Sequence, residues 1–263
     1  NASIVQLFVA GIVPGVCGGL ALMAMAWWIA RRNNWPVEEL FSWSKLGRAF
    51  RDAFWALFLP VIILGSIFGG FVTATEGAGT AVVAAFVIGT FVYRDVQWGE
   101  LVKSAIEGAS HTAVVMLLVA ASALVGVFLT EQKVPQQMAE GILSITSNKY
   151  LVLAILNVLF LVLGMFLHSA AAIILVVPVV MPLVTAVGID PVHFGLIVTI
   201  NLAIGQQTPP VASVLMVACS IAKANVWEVS KVNINFIYVL LAVLLVVTYV
   251  PDVPMSLVYL FYR

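Results

Sequence analysis

Apolar runs of membrane-crossing length recur along this sequence, at roughly 4–30, 54–72, 77–93, 109–130 and 236–258, with a more crowded stretch from 150 to 222. About 20 apolar residues carry an α-helix across the hydrocarbon core of a bilayer, and there every backbone N–H and C=O must be paired internally. The pattern therefore confines the chain to an all-α, polytopic membrane protein. Composition agrees, with 63% apolar and only 9% charged residues, where a soluble domain carries about 25% charged. Zero net charge leaves no basic stripe to neutralise phosphates, which excludes nucleic acid as a partner and leaves the lipid bilayer as the main one. Cys17 and Cys219 lie in apolar runs without a CxxC or Cys/His cluster and read as small buried hydrophobes. The sequence opens Asn1-Ala2-Ser3 without Met or a signal-peptide pattern, and is expected to be a fragment or processed piece.

Lys and Arg set orientation, because they collect on the cytoplasmic side. With residue 1 outside, Arg31, Arg32, Lys45, Arg48, Arg51, Arg94, Lys103, Lys223 and Lys231 fall on one side, and Lys133, Lys149 and Arg263 on the other. The larger group marks the cytoplasm. This threading works only if 150–185 enters and leaves on the same, outer side, which predicts a re-entrant helical hairpin. Segments 43–55 and 97–108 have charges on one helical face and apolar residues on the other, and are expected to lie in the cytoplasmic interface, with 134–146 in the same position outside. Pro14 and the Gly18-Gly19 pair predict a kink or close helix packing in the first span.

Two segments carry chemistry. In 157–185 the apolar pattern is interrupted at Gly164 and again at His168-Ser169. A straight helix would hold His168 at mid-membrane, a costly place for a polar group without partners. A hairpin with its tip at 167–170 resolves this, and its second arm, starting near Ser169, would present free N–H groups and a positive dipole end to an anion. In 193–222, Gly205-Gln206-Gln207-Thr208-Pro209-Pro210 cuts a run of apolar residues. Adjacent prolines remove two donors, Thr208 is a good N-cap and Pro209 a good first helical residue. This predicts a broken transmembrane helix, with bare carbonyls around 203–205 suited to Na⁺ and bare N–H groups after them suited to a carboxylate. Asn201, four residues before Gly205, is expected to point toward the same break. Thr73-x-x-Glu76 reads as a capping box at the start of span 77–93. His111 reads as interfacial or buried with a hydrogen bond, and His193, after Gly188-Ile189-Asp190-Pro191, as loop.

The segments MFLHSAAAIILVVPVVMPL, GIDPVHFG and NLAIGQQTPPV, with QLFVAGIVPG, LFLPVIILGSIFGGFVTATEGAGTAVVAAFV and VYRDVQW upstream, together resemble the large membrane subunit of TRAP (tripartite ATP-independent periplasmic) transporters. The resemblance implies a bacterial inner-membrane location and sodium-driven uptake of a small organic acid by an elevator motion. It also implies a periplasmic substrate-binding protein and a small membrane subunit as partners. In that family the large subunit holds two inverted repeats, each with a re-entrant hairpin and a broken helix. This chain resembles only the second repeat and the helix leading into it, so the N-terminal half of the large subunit is a further expected partner and this piece is expected to hold half a site. It departs from the family where His168 replaces a common Asp, where Thr73-Ala74-Thr75-Glu76 replaces T-P-T-E, where Gln206-Gln207 replaces apolar residues and where Ala212-Ser213 replaces a glycine-containing pair.

The resulting expectation has three parts. Residues 1–149 form scaffold helices with interfacial arms, 150–222 the transport-domain hairpin and broken helix, and 223–263 a C-terminal scaffold helix. His168, Ser169, Gly205, Thr208 and Pro209 would bind sodium, with no other metal; Ser169, Asn201, Gln206, Gln207 and Thr208 would bind substrate. A carrier like the divalent-anion:sodium symporters, working without a binding protein, and a channel subunit are the alternatives. An intramembrane enzyme is disfavoured, since no Asp/Asp pair, GxSxG or HExxH lies within a span.

Overall fold

The computed structural model describes residues 3–35, 41–94 and 96–262. Arg263 of the charge argument, Asp95 of VYRDVQW and the first two residues of the Asn1-Ala2-Ser3 opening lie outside the described residues. The described residues form eleven α-helices and no strand: α1 (Ile4–Arg32), α2 (Trp43–Phe68), α3 (Ala74–Val87), α4 (Trp98–Glu131), α5 (Val134–Ile145), α6 (Lys149–Phe166), α7 (Ser169–Ala186), α8 (Pro191–Gly205), α9 (Ser213–Ala222), α10 (Val226–Tyr249) and α11 (Asp252–Phe261). A π-helical turn, Ile88–Tyr93, continues α3. Seven helical stretches are long and apolar enough to cross a membrane.

The boundaries differ from the sequence expectation at three places. The amphipathic segments 43–55 and 97–108 are the first turns of α2 and α4, each continuous with its apolar span. Neither junction breaks the helix: α2 continues through Pro60, just past its charged turns, and the single Gly108 costs only about 1 kcal/mol in a helix interior. The C-terminal span expected at 236–258 is two helices. It starts ten residues earlier, where Asn225 accepts from the Trp227 N–H (2.9 Å), and breaks at Val250-Pro251 because proline has no N–H to continue the ladder. Cys219 is buried as expected, but Cys17 is exposed on α1. A Cβ added at Gly18 or Gly19 would meet nothing within 4 Å, so among the described residues no tight helix crossing is made at this pair, although Gly18 is buried and α1 runs through Pro14 as one helix.

The chain packs as two compact units, Asn1–Asn33 with Val114–Arg263, and Asn34–Ala113. In the first, α6 packs along α8, α7 along α5 and α8, and α1 against α8, α10 and α11. One continuous apolar core results, centred on Phe160, Leu156, Phe194 and Leu202. The order of helix ends decides the topology. A cavity of about 140 Å³ is lined by Tyr150 at the start of α6, Ile189 after α7, His193 at the start of α8 and Thr248 near the end of α10. The chain thus runs out along α6 and back along α7 to the end it left.

In the second unit α2 packs on α3. The capping box is present: the Glu76 carboxylate accepts from the Thr73 N–H (2.8 Å) and the Thr73 hydroxyl from the Glu76 N–H (3.3 Å). Ile67 of α2 sits over Gly77, where an added Cβ would come within 2.8 Å of its side chain. Close approach of this kind is the main source of helix affinity in lipid, where apolar burial gives little driving force.

Candidate functional site

Two interruptions of helix meet in the first unit. Between α6 and α7 the helix opens at Leu167 and His168, both in extended backbone. His168 is the N-cap of α7, but its side chain makes no capping bond. Ala172 N–H donates to the His168 carbonyl (3.1 Å), while those of Ser169, Ala170 and Ala171 meet no acceptor among the described residues. The start of α7 therefore offers three free donors at the positive end of a helix, as expected.

Between α8 and α9 the helix opens over 206–212. Here the sequence expectation needs two corrections. Thr208 is not the N-cap of the second half. Its hydroxyl donates back to the Ile204 carbonyl (2.9 Å), and the helix resumes only at Ser213, after Ala212 in the left-handed region (φ 46°). The prolines spend themselves on the turn instead of starting the helix. Nor are the carbonyls at the end of α8 bare: Gly205 accepts from the Thr208 N–H (2.9 Å), Ile204 from the Gln207 N–H (3.1 Å) and Ala203 from the Gln207 side chain (3.4 Å). Ile204 accepts from the Thr208 hydroxyl as well, so Ala203 and Gly205 are the two that keep a second lone pair. The loop closes where Val214 N–H donates to the Gln206 carbonyl (3.2 Å).

Glycine brings the two interruptions together. A Cβ on Gly205 would lie 2.7 Å from the Gly164 backbone, and one on Gly164 would lie 3.1 Å from the Gly205 and Leu202 backbones. Only glycine at 205 permits this crossing. Gly164 thus lies inside α6, as the contact point, rather than ending it. One turn beyond, the Gln206 amide donates to the Ser169 hydroxyl, so the α8 break is tied to the first residue of α7.

Of the sequence-predicted residues, Ser169, Gly205, Gln206 and Thr208 gather at this point. Gln207 braces the end of α8: its side chain donates to the Ala203 carbonyl (3.4 Å), and its own carbonyl accepts from the Asn233 amide of α10 (3.1 Å). Pro209 lines an apolar cavity with Val226 and Trp227 at the start of α10. The Asn201 side chain does not point at the break. It is fully buried and donates to Asn157 Oδ1 (2.7 Å) and the Ile197 carbonyl (2.9 Å), and the Asn157 amide donates to Thr248 (3.1 Å). Asn201 Oδ1 itself has no partner among the described residues. His193 is also not loop; it is buried at the start of α8 with Nε2 2.7 Å from the Val247 carbonyl. His111 is exposed on α4. Asn157, Thr248 and Asn233 escaped sequence reasoning, and Gly164 was read as an interruption of the apolar pattern, not as a contact point. A lone Asn in the apolar run of α6 was the one available signal, since an amide at membrane depth needs a partner.

Residues 1–253 match the family described as tripartite ATP-independent periplasmic transporter, DctM component. The chain is 42% identical over 256 residues to the isethionate TRAP transporter permease protein DctMQ of Oleidesulfovibrio alaskensis, covering 97% of this chain and 40% of that protein. It is 33% identical over 271 residues to the C4-dicarboxylate TRAP transporter large permease protein DctM of Vibrio cholerae (95% and 60%). It is likewise 33% identical over 253 residues to the sialic acid TRAP transporter permease protein SiaT of Haemophilus influenzae (96% and 41%). The chain spans 40% to 60% of the length of these relatives.

Proposed function

Because this chain belongs to the DctM family of tripartite ATP-independent periplasmic transporters and is a multi-pass inner-membrane protein, we propose that it supplies half of the carrying site of a sodium-coupled uptake system for a small organic acid. The observation that carries this reading is the bond between Gln206 and Ser169, which joins the two helix interruptions. A substrate carboxylate, or another organic anion head, docks on the free N–H groups at the start of α7, with the Ser169 hydroxyl and Gln206 amide beside it. Sodium, the co-transported ion, is held by neutral oxygens. These are the second lone pairs of the Ala203 and Gly205 carbonyls and the Thr208 hydroxyl, whose proton is committed to Ile204 and whose oxygen is left free to coordinate. His168 and Pro209 contribute through backbone only, and Asn201 and Gln207 hold the frame around the site.

The relatives are named for isethionate, C4-dicarboxylates and sialic acid, all organic anions, which supports an organic acid as substrate. A periplasmic binding protein delivers it, a small membrane subunit braces the carrier, and the other repeat of the large subunit closes the site. In this reading α6–α7 is a re-entrant hairpin. It and the broken helix α8–α9 move together as an elevator. The core shared by α6, α7 and α8 with α1, α10 and α11 supports a moving body wider than residues 150–222: these three helices travel with it, and Asn34–Ala113 stays with the fixed frame.

The test is Thr208→Ala in the complete transporter, reconstituted with its cognate binding protein and a panel of radiolabelled isethionate, succinate and sialic acid. Sodium-driven uptake is expected to be lost while membrane assembly survives. Uptake at the native rate and sodium dependence in that variant would remove the coordination claim. Native uptake without any binding protein would instead favour a symporter acting alone.

A further inference from the structure

Tyr93 ends the π-helical turn that follows α3, and its hydroxyl reaches into the backbone of α2. It donates to the Asp52 carbonyl (2.9 Å) and accepts from the Ala56 N–H (3.2 Å). Those two groups are the partners of one i→i+4 hydrogen bond of α2. One turn on, position 60 is proline. Pro60 has no N–H for the Ala56 carbonyl, and its ring crowds that carbonyl. Of two successive rungs of one line, 56 to 60 is therefore missing and both ends of 52 to 56 are shared with the Tyr93 hydroxyl, where α2 passes from its charged first turns into its apolar span. A side chain inserted in the ladder and a proline are two established causes of helix bending. Tyr93 is the last residue of the π turn, which Arg94 in the left-handed region (φ 54°) ends at once.

We infer that Tyr93 makes residues 52–60 of α2 a joint, about which the charged segment 43–51 swings relative to the span 61–68. The hydroxyl can hold the Asp52 carbonyl and Ala56 N–H when they separate and release them when the ladder closes, so bending leaves neither group unpaired in an apolar setting. Its use rests on the elevator reading. α1 is joined to α2 through residues 33–42, so travel of α1 pulls on the charged segment first, and a joint lets that segment follow while the span stays packed on α3.

The test uses the complete transporter with Cys17 and Cys219 replaced by serine and spin labels at positions 44 and 61, which an unbent helix holds about 25 Å apart. The native distance distribution is expected to be broad. Tyr93→Phe keeps the ring but lets the 52–56 rung close, so the distribution narrows near the straight-helix value and uptake falls severalfold. Adding Ala56→Pro to Tyr93→Phe removes the N–H that the hydroxyl served, reopens the joint, and restores both breadth and uptake. An unchanged distribution in Tyr93→Phe overturns the joint whatever uptake does. A narrowed distribution with native uptake, or a double variant that stays narrow or slow, overturns its role in transport. Absence of sodium-driven uptake in the native protein, with the distribution still narrowing in Tyr93→Phe, sinks the uptake reading and leaves the joint.

Discussion

The two helix interruptions solve the same problem in opposite ways. At Leu167-His168 the chain stops and restarts at once, and the start of α7 keeps three N–H groups without acceptors. At 206–212 it loops, and some of its backbone groups are tied back to α8 and α9, with Thr208 N–H on Gly205, Gln207 N–H on Ile204 and Val214 N–H on Gln206, while the Val211, Ala212 and Ser213 N–H groups have no partner among the described residues. Pro209 and Pro210 have no N–H to offer. Both interruptions therefore carry free donors, and the second adds the Thr208 hydroxyl oxygen beside the Ala203 and Gly205 carbonyls. An anion and a cation thus have different neighbours within one bond's reach, Gln206 to Ser169. On the function proposed above, substrate and sodium binding should be separable by substitution.

The strongest way to break that picture is to separate the two interruptions. Gly205→Ala places a methyl against the Gly164 backbone, which cannot rotate away. A loss of about 1–3 kcal/mol is expected, read as a lower thermal midpoint of the solubilised transporter. Native stability would mean the crossing is loose and the interruptions are independent. Asn201→Ala comes next. It removes the donor to buried Asn157 Oδ1 and should cost about 1 kcal/mol. The same measurement checks it, and a stabilised variant would show that the unpartnered Asn201 Oδ1 outweighs the bonds. Ser169→Ala should be smallest, and it sharpens the comparison most. Loss of one hydroxyl contact is expected to weaken apparent substrate affinity by about 0.5–1.5 kcal/mol, roughly two- to tenfold, with sodium dependence unchanged. An equal shift in sodium dependence, measured in reconstituted uptake, would merge the two roles.

The helices were legible because membrane length and apolar runs leave few options. The breaks at His168-Ser169 and before Pro209 were legible because polar residues and prolines have no place in an uninterrupted span. What could not be read was direction. Asn201 and Gly205 share a helical face, which suggested a common target. That face, however, meets α6, and Asn157 captures the amide 44 positions away in sequence. Thr208-Pro209 carries every local sign of a helix start, yet a second proline and the tie from Val214 to Gln206 delay it to Ser213. Pro251-Asp252 was an available stop-and-start signal, hidden by apolar residues on both sides. Continuity through 55–56 in α2 followed from the absence of a breaker, and only the arrival of Tyr93 from 41 positions away marks that turn as different.

The meeting of Gly164 and Gly205 has a mechanical consequence. Main chain rests on main chain there, with no side chain between to change rotamer and take up slack. A ligand that draws Gln206 toward itself must drag α6 along with α8, so capture at one opening is felt at the other without delay or loss. The pair acts as a coupling without backlash, and the smallest residue in the alphabet is what makes it stiff.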